Sequence, residues 1–300
     1  MEQVELGHNR YGKSGVRLVK VMRQGNLHHL ADLTVEVLFE GDFGEVHLWG
    51  NNRRVLPTDT MRNTIYALAR KQPLGEIESF GSALADHFLQ DNPALERVEI
   101  GLTEHPWSRI EVAGRPHPHA FLASGSERRT ARVTATRKGV LVEGGIEGLA
   151  VFKTTGSSFS GFRTDAFTTL PEAEDRLLST VVSASWLYRR AKVPLGSWEQ
   201  VRRLLLEAFA THEESRSLQH TAYLMGRAVL TAQDEVASIR LSLPNKHHLL
   251  LDLSPFGLDN PDEVFVATDR PYGLIEVTVR RPGDHAPRSS ERSEHVAPPG

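Results

Sequence analysis

Asn245 and His247 form a polar pair whose residue types could do chemistry in this 300-residue sequence. An amide and an imidazole two residues apart can hold a solvent molecule, relay a proton or contribute to a metal site. Apolar and polar residues alternate before the pair, and an apolar, β-rich run follows it. We therefore expect a loop between two strands, with Pro244 fixing its direction. Ordinary surface polarity is the alternative, and this segment alone leaves both open.

The composition is that of an ordinary globular protein, with 39% hydrophobic and 24% charged residues. No apolar run approaches the roughly 20 residues of a membrane helix, so no membrane partner is expected. A formal net charge of -3 gives no basic field for a polyanion, so nucleic acid is not an expected partner either. The absence of cysteine excludes disulfides and thiolate metal sites. The first residues show no signal-peptide pattern, which predicts a cytoplasmic protein.

Apolar periodicity predicts the same order of elements twice along the chain. A hairpin bending near residues 25–26 precedes two amphipathic helices and another strand, and after an irregular segment at residues 105–129 the order resumes. Blocks of strands and helices without strict alternation indicate an α+β fold with antiparallel sheets. We place one domain at residues 1–135 and a second at 136–281. Residues 282–300 lack apolar periodicity, which predicts a disordered tail.

Six short motifs lie in order along the chain: Tyr11-Gly12-Lys13, Thr58-Asp59 with Asn63-Thr64, Phe159 with Gly161-Phe162, Asp175-Arg176, Leu218-Gln219 and Asn245-Lys246-His247. In this order they are similar to the motifs of urate oxidases. The resemblance covers residues 7–281 and implies two tandem T-fold domains that assemble into a tunnel-shaped homotetramer. It also implies that urate is oxidised by dioxygen and water to 5-hydroxyisourate and hydrogen peroxide, without metal or organic cofactor. The final residues lack the Ser-Lys-Leu peroxisomal address, which favours the bacterial type.

The resemblance implies a substrate site whose side chains suit a flat purine anion. Arg176 can grip the edge of such a ring with its planar guanidinium, and the amide of Gln219 can donate and accept at another edge. Phe159 can stack against the ring. In the family, the backbone amides of Leu218 and Asp59 also contact the ring. Without the family pattern, Arg176 would be interpreted as a surface ion-pair residue and Gln219 as a solvated helix residue.

The same resemblance implies a proton relay of Lys13, Thr58 and His247, with Asn245 holding dioxygen and then water over the ring. A lysine can act as a base at neutral pH when it is buried or lies beside another cation. Taken alone, Lys13 would be an exposed charge at a strand edge and Thr58 a helix cap. In the family, Thr58 and Asp59 belong to a neighbouring subunit, so that the active sites are shared.

Two positions bear on the shape of the predicted pocket. Ser160 follows the stacking phenylalanine, where many urate oxidases have a bulkier residue, and Pro57 precedes the relay threonine.

Two other functions remain open from the residues themselves. The His-Pro-His sequence at residues 117–119 has a ligand-like spacing, and pterin enzymes with a T-fold bind zinc through histidines, although the cysteine that many of them use is absent. A purine-binding or structural T-fold without activity is the other alternative. Loss of Lys13, Thr58 or His247 would favour it, and all three are present.

Overall fold

One antiparallel sheet of eight strands forms the frame of the molecule in a computed structural model that describes residues 4–283. The described residues form ten strands in all: β1 (Tyr11–Gln24), β2 (Leu27–Gly41), β3 (Leu95–Glu104), β4 (Trp107–Val112), β5 (Arg115–Ala123), β6 (Arg128–Thr136), β7 (Gly139–Lys153), β8 (Leu178–Tyr188), β9 (Val236–Leu250) and β10 (Phe265–Arg280). Their order in the sheet is β1-β2-β3-β6-β7-β8-β9-β10, whereas β4 and β5 form a separate two-stranded hairpin. The two outer strands of the large sheet are therefore β1 and β10.

The longer helices pack on the large sheet and close the core. The helices are α1 (Gly44–Trp49), α2 (Thr58–Lys71), α3 (Ile77–Asp91), α4 (Ser197–Thr211) and α5 (Leu218–Ala232). Helix α2 packs against β1, α3 against β3 and β6, α4 against β7 and α5, and α5 against β9 and β10. Met61 and Ile65 face the core from one side of α2, and Leu33 and Val35 alternate towards it from β2. No helix within residues 4–283 is long and apolar enough to cross a membrane, and the cytoplasmic location stays a prediction.

The predicted α+β class with antiparallel strands and paired helices is confirmed. Two strands, two helices and two strands occur in the order β1-β2-α2-α3-β3-β6 and again in the order β7-β8-α4-α5-β9-β10. The sheet continues from one half into the other through the pairing of β6 with β7. The division into residues 1–135 and 136–281 falls near the turn between these strands and stays a prediction. The predicted tail lies, from residue 284 onward, outside the described residues.

The prediction of an irregular segment at residues 105–129 was wrong, because β4 and β5 form a hairpin within it. Its turn at Ala113 and Gly114 has φ values of 52° and 73°, respectively. Left-handed backbone at both central residues suits a two-residue hairpin turn. An alanine seldom adopts this conformation, so the turn is hard to predict from the sequence. The prolines in β5 are tolerated because both strands of a two-stranded sheet are edges.

The prediction of a loop around Asn245 and His247 was also wrong, because both residues lie inside β9. Pro244 lacks the N–H group that an interior strand uses, which favoured a break in the strand. The pairing with β8 skips this residue, passing from Thr180 opposite Asn245 to Ser183 opposite Ser242, so that ladder does not use the missing N–H. On the other side, the register of β10 shifts between Thr268 and Gly273, beside Asn245 and His247. The predicted site residues are therefore held on a strand.

A buried ionic cluster joins the two halves next to the central strands. Arg129 on β6 is 7% exposed, and its guanidinium pairs with Glu76 and, at 2.6 Å, with Glu78. Glu76 also accepts a hydrogen bond of 2.9 Å from the backbone N–H of Gly196, which precedes α4. Burial raises the pKa of Glu78, whereas for Arg129 the nearby carboxylates outweigh burial and raise its pKa. The cluster therefore ties the start of α3 to the start of α4.

Arg281 directly follows β10, and its side chain caps the C-terminal end of α5. Its guanidinium donates hydrogen bonds to the carbonyl oxygen of Leu230 and, at 3.0 Å, to that of Gln233. Its Nε donates to the carbonyl oxygen of Val236 at 3.2 Å. Helix ends leave carbonyl groups without intrahelical partners, so Arg281 supplies donors that the helix lacks.

We predict that Arg281→Ala lowers the free energy of unfolding by roughly 1–3 kcal/mol, because it leaves part-buried carbonyl groups unpaired. A chain truncated after Arg281 keeps these bonds and should retain the stability and activity of the full chain. Urea unfolding of the two variants beside the full chain is the measurement. A truncated chain as unstable as Arg281→Ala would show that the tail contributes to the fold.

Candidate active site

The connection between β7 and β8 contains Phe159 and Arg176, and Asp175 organises it. The carboxylate of Asp175 accepts hydrogen bonds from Thr155 Oγ1 at 2.5 Å, from the backbone N–H of Ser157 at 3.1 Å and from that of Arg176 at 2.9 Å. The hydrogen bond from Thr155 is the main cause that holds the pKa of Asp175 below its usual value. An ionised Asp175 therefore fixes both ends of the connection.

Arg176 lies against the ring of Phe159, with its guanidinium carbon 5.0 Å from the ring centroid. The backbone of Phe159 is held by two hydrogen bonds to Ala173, of 2.7 and 3.0 Å, and Phe162 stacks on its ring at 4.9 Å. Burial lowers the pKa of Arg176, and its Nε has no hydrogen-bond partner among the described residues. A partly buried guanidinium with an unused donor is suited to bind an anion.

Leu218 and Gln219 are the first two residues of α5. Ser217 caps the helix, with its side chain accepting a hydrogen bond from the backbone N–H of His220 at 3.2 Å. Backbone N–H groups in the first turn have no intrahelical partner and favour negative charge. Leu218 is buried, whereas Gln219 is exposed, so the helix start offers backbone donors and a free amide side chain at the same place.

The segments with Phe159 and Gln219 are tied together through Ser215. The backbone N–H of Ser158 donates to the carbonyl of Ser215 at 2.7 Å, and the N–H of Ser215 donates to the carbonyl of Gly156 at 2.9 Å. Gly156 has a φ of 74°, and a Cβ there would lie 2.6 Å from the carbonyl oxygen of Glu213. This link was missed from the sequence, where the glycine was its only sign.

Asn245 and His247 lie on β9 in the same half of the chain. Asn245 pairs with Thr180 on β8 and with Gly273 on β10. It is half-buried, whereas His247 is exposed. The carbonyl of His247 accepts a hydrogen bond from Thr268 Oγ1 at 3.0 Å. Bulges beside active sites commonly re-aim side chains, which fits the register shift opposite this pair.

Lys13 and Thr58 belong to β1 and α2, two elements that pack on each other at the other side of the sheet. Lys13 is on β1, where the register shifts between Lys13 and Val16. Thr58 is the first residue of α2, which packs on β1. The hydroxyl of Tyr11 accepts the backbone N–H of Leu56 at 3.0 Å, which fixes the start of α2 relative to the strand.

The remaining predicted positions lie at the surface. Asp59 is exposed and pairs with Arg62 at 2.6 Å. Pro57 occupies the N-cap position of α2 without a side-chain hydrogen bond, and Ser160 is exposed. The rings of the His-Pro-His pair lie 4.5 Å apart, but no group of three or more His, Asp or Glu side chains within residues 4–283 is placed to hold a metal ion.

The predicted residues thus fall into two groups within one chain. The relay group contains Lys13, Thr58 and Asp59, and the clamp group contains Phe159, Arg176, Leu218, Gln219, Asn245 and His247. Strands β1 and β9 are six strand spacings apart in the sheet, or roughly 29 Å along it. A trough of about 450 Å³ on the sheet and a pocket of about 180 Å³ beside Arg129 are lined by neither group. One chain alone therefore does not assemble all the predicted residues.

The comparisons with known proteins agree with the resemblance in the motifs. The family model described as Uricase matches residues 9–134 and 142–276. A uricase of Arthrobacter globiformis is 46% identical over 286 residues, which cover 95% of this chain and 92% of the relative. A uricase of Aspergillus flavus is 36% identical, covering 91% of this chain and 95% of the relative.

Solved structures show the same likeness in three dimensions. The crystal structure of uricase from Arthrobacter globiformis matches with a TM-score of 0.91 and 45% identity, covering 96% of this chain and 98% of that one. The urate oxidase from Bacillus sp. TB-90, at 24% identity and a TM-score of 0.80, shares the fold. The resemblance in the motifs is thereby confirmed, and the chain belongs to the uricase family.

Proposed function

We propose that this protein oxidises urate with dioxygen and water to 5-hydroxyisourate and hydrogen peroxide, without a metal or organic cofactor. The observation that supports this most directly is the Arg176 guanidinium, which is partly buried, lies against Phe159 and has an Nε donor that finds no partner in residues 4–283. A flat anion would satisfy that donor and stack on the ring at once. Membership of the uricase family identifies urate as the anion.

The clamp group holds urate in this proposal. The planar fork of Arg176 pairs with one edge of the purine, and the Gln219 amide pairs with another. The backbone N–H of Leu218, at the positive end of α5, adds a donor. Because Asp175 and Ser215 fix the two segments, little ordering remains to be done when urate binds.

Lys13, Thr58 and His247 move protons in this proposal, and Asn245 holds dioxygen and then water over the ring. Lys13 takes a proton from urate through the Thr58 hydroxyl, and His247 completes the relay. Urate loses two electrons, dioxygen is reduced to hydrogen peroxide, and water supplies the oxygen of the new hydroxyl group. Family resemblance assigns these roles, and the packing of α2, which begins at Thr58, on β1, which contains Lys13, supports the pairing.

We further propose a homotetramer in which the relay group of one subunit completes the clamp group of another. Strands β1 and β10 are long outer strands of 14 and 16 residues, and unpaired strand edges favour association with another chain. Large apolar side chains are exposed on or near them, including Val19, Leu249 and Leu274. Asp59 would then contact urate across the subunit interface.

The first experiment measures urate consumption and hydrogen peroxide release by purified protein treated with a chelator, in air and under nitrogen. We expect turnover that requires dioxygen and survives the chelator. Activity that is lost with the chelator and restored by zinc would favour the pterin-type alternative. Urate binding without turnover would favour a binding protein.

We predict that Lys13→Met folds and assembles but loses on the order of 10²–10⁴ in kcat near neutral pH, because the base is removed. Lys138→Met, at an exposed turn, is the matched control and should behave as the wild type. Steady-state kinetics with size-exclusion chromatography tests this. Near-normal turnover of Lys13→Met would remove Lys13 as the base.

We predict that Arg176→Ala lowers kcat/KM by an amount equivalent to about 2–4 kcal/mol, because the bound anion loses its charged partner. Arg163→Ala, an exposed position in the same connection, is the control.

If the sites are shared, refolding Lys13→Met and Arg176→Ala chains together should restore activity, since about a quarter of the sites then contain both wild-type groups. A mixture as inactive as its components would place both groups in a site within one chain.

A further inference from the structure

Thr180 is a buried residue that the proposed reaction does not yet use. It lies on β8, four residues after Arg176, and is 1% exposed. Its Oγ1 has no hydrogen-bond partner among the described residues. Most buried hydroxyl groups in proteins are hydrogen-bonded, because an unpaired one loses its hydration without compensation. We therefore expect the hydroxyl of Thr180 to have a hydrogen-bond partner that is not a protein group.

The strand register places this hydroxyl next to the proposed dioxygen site. Thr180 stands directly opposite Asn245 in the pairing of β8 with β9. Directly opposed residues point to the same face of a sheet, with Cβ atoms about 4.5–5.5 Å apart. A small molecule held by the Asn245 amide is thus within reach of the Thr180 hydroxyl.

The other flank of Asn245 is open on the same face. Its partner there is Gly273 on β10, where an added Cβ would come no closer than 3.8 Å to the Cβ of Asn245. Because glycine has no side chain, this position of β10 leaves room beside the amide. Thr180 is therefore the residue that supplies a polar group to Asn245 from the paired strand positions.

The surroundings of Thr180 argue against a structural role for its hydroxyl. Its neighbours on the same face of β8 are the buried, apolar Leu178 and Val182. Valine has nearly the shape of threonine and would suit such a face better. Arg176 Nε and Ser157 Oγ, in the connection just before β8, are also buried and have no hydrogen-bond partner in the described part of the chain. The clamp group and the residues next to it thus contain several buried donors without a hydrogen-bond partner among the described residues.

We propose that the Thr180 hydroxyl is a further catalytic group, which donates a hydrogen bond to dioxygen as it is reduced beside Asn245. This inference rests on the proposed function. Neutral dioxygen is a weak hydrogen-bond acceptor, whereas the species it becomes on accepting electrons from urate is negatively charged. A fixed donor in a dry site stabilises that developing charge more than it stabilises the starting molecule. Protons for hydrogen peroxide still come from urate and water through the relay.

The test compares Thr180→Val, which removes the hydroxyl at nearly constant shape, with Thr180→Ser, which keeps it. We expect Thr180→Val to lower kcat/KM for dioxygen by at least about tenfold. Its dissociation constant for urate, measured under nitrogen where no turnover occurs, should change less than about twofold, and its Tm should not fall. Thr180→Ser should retain kcat/KM for dioxygen within about threefold of the wild type. Thr278→Val, an exposed position on β10, is the matched control.

An unchanged kcat/KM for dioxygen in Thr180→Val would overturn the proposal. So would a fall in Tm or a loss of urate affinity as large as the loss of activity, since either would show that the hydroxyl serves the fold or the substrate clamp. Thr180→Ala gives the same readouts where valine does not pack. A wild-type protein that neither binds urate nor consumes dioxygen would remove the proposed function itself, whereas an active wild type with an equally active Thr180→Val would remove only the role of Thr180.

Discussion

The pairing of β6 with β7 is the constraint on which the rest of the structure depends. It runs from Arg128 opposite Glu147 to Thr136 opposite Gly139 and makes one sheet of the two halves. Because the halves join through these strands, β1 and β10 become the outer edges. The relay group near β1 and the clamp group near β9 are then separated by the width of the sheet.

The ionic cluster around Arg129 reinforces the same joint. A buried ion pair contributes little net stability, because desolvation offsets the attraction, but removing one partner leaves an uncompensated charge. Glu76 serves both halves, since it pairs with Arg129 and accepts the N–H of Gly196. Separating the start of α3 from the start of α4 would break the hydrogen bond from Gly196 to Glu76 and open the buried cluster to water. The geometry between the halves therefore depends on this polar contact as well as on apolar packing.

The sequence predicts the elements whose pattern is local and misses those that depend on partners. Stripes such as Met61 and Ile65 identify α2, because apolar residues four apart lie on one face of a helix whatever surrounds it. The strand through Pro244 was missed because a proline is tolerated inside a strand only where the neighbouring strand does not use its N–H, which is a tertiary property. In the site, the resemblance in the motifs suggested a purine clamp, whereas the hydrogen bonds of Ser215 have no sign in the sequence other than Gly156.

The pairing of β6 with β7 leaves β1 and β10 as the outer strands and also separates the relay group from the clamp group. On the proposed function, both features lead to association of the chains. Each chain keeps a clamp whose parts are fixed by its own hydrogen bonds, such as those of Asp175. The base and its threonine lie beyond the reach of that clamp within the same chain. Covering the strand edges by association brings both groups together and also buries the exposed apolar side chains near them. The clamp is then a property of the chain, whereas the complete site, with the base and the contact of Asp59, is a property of the assembly.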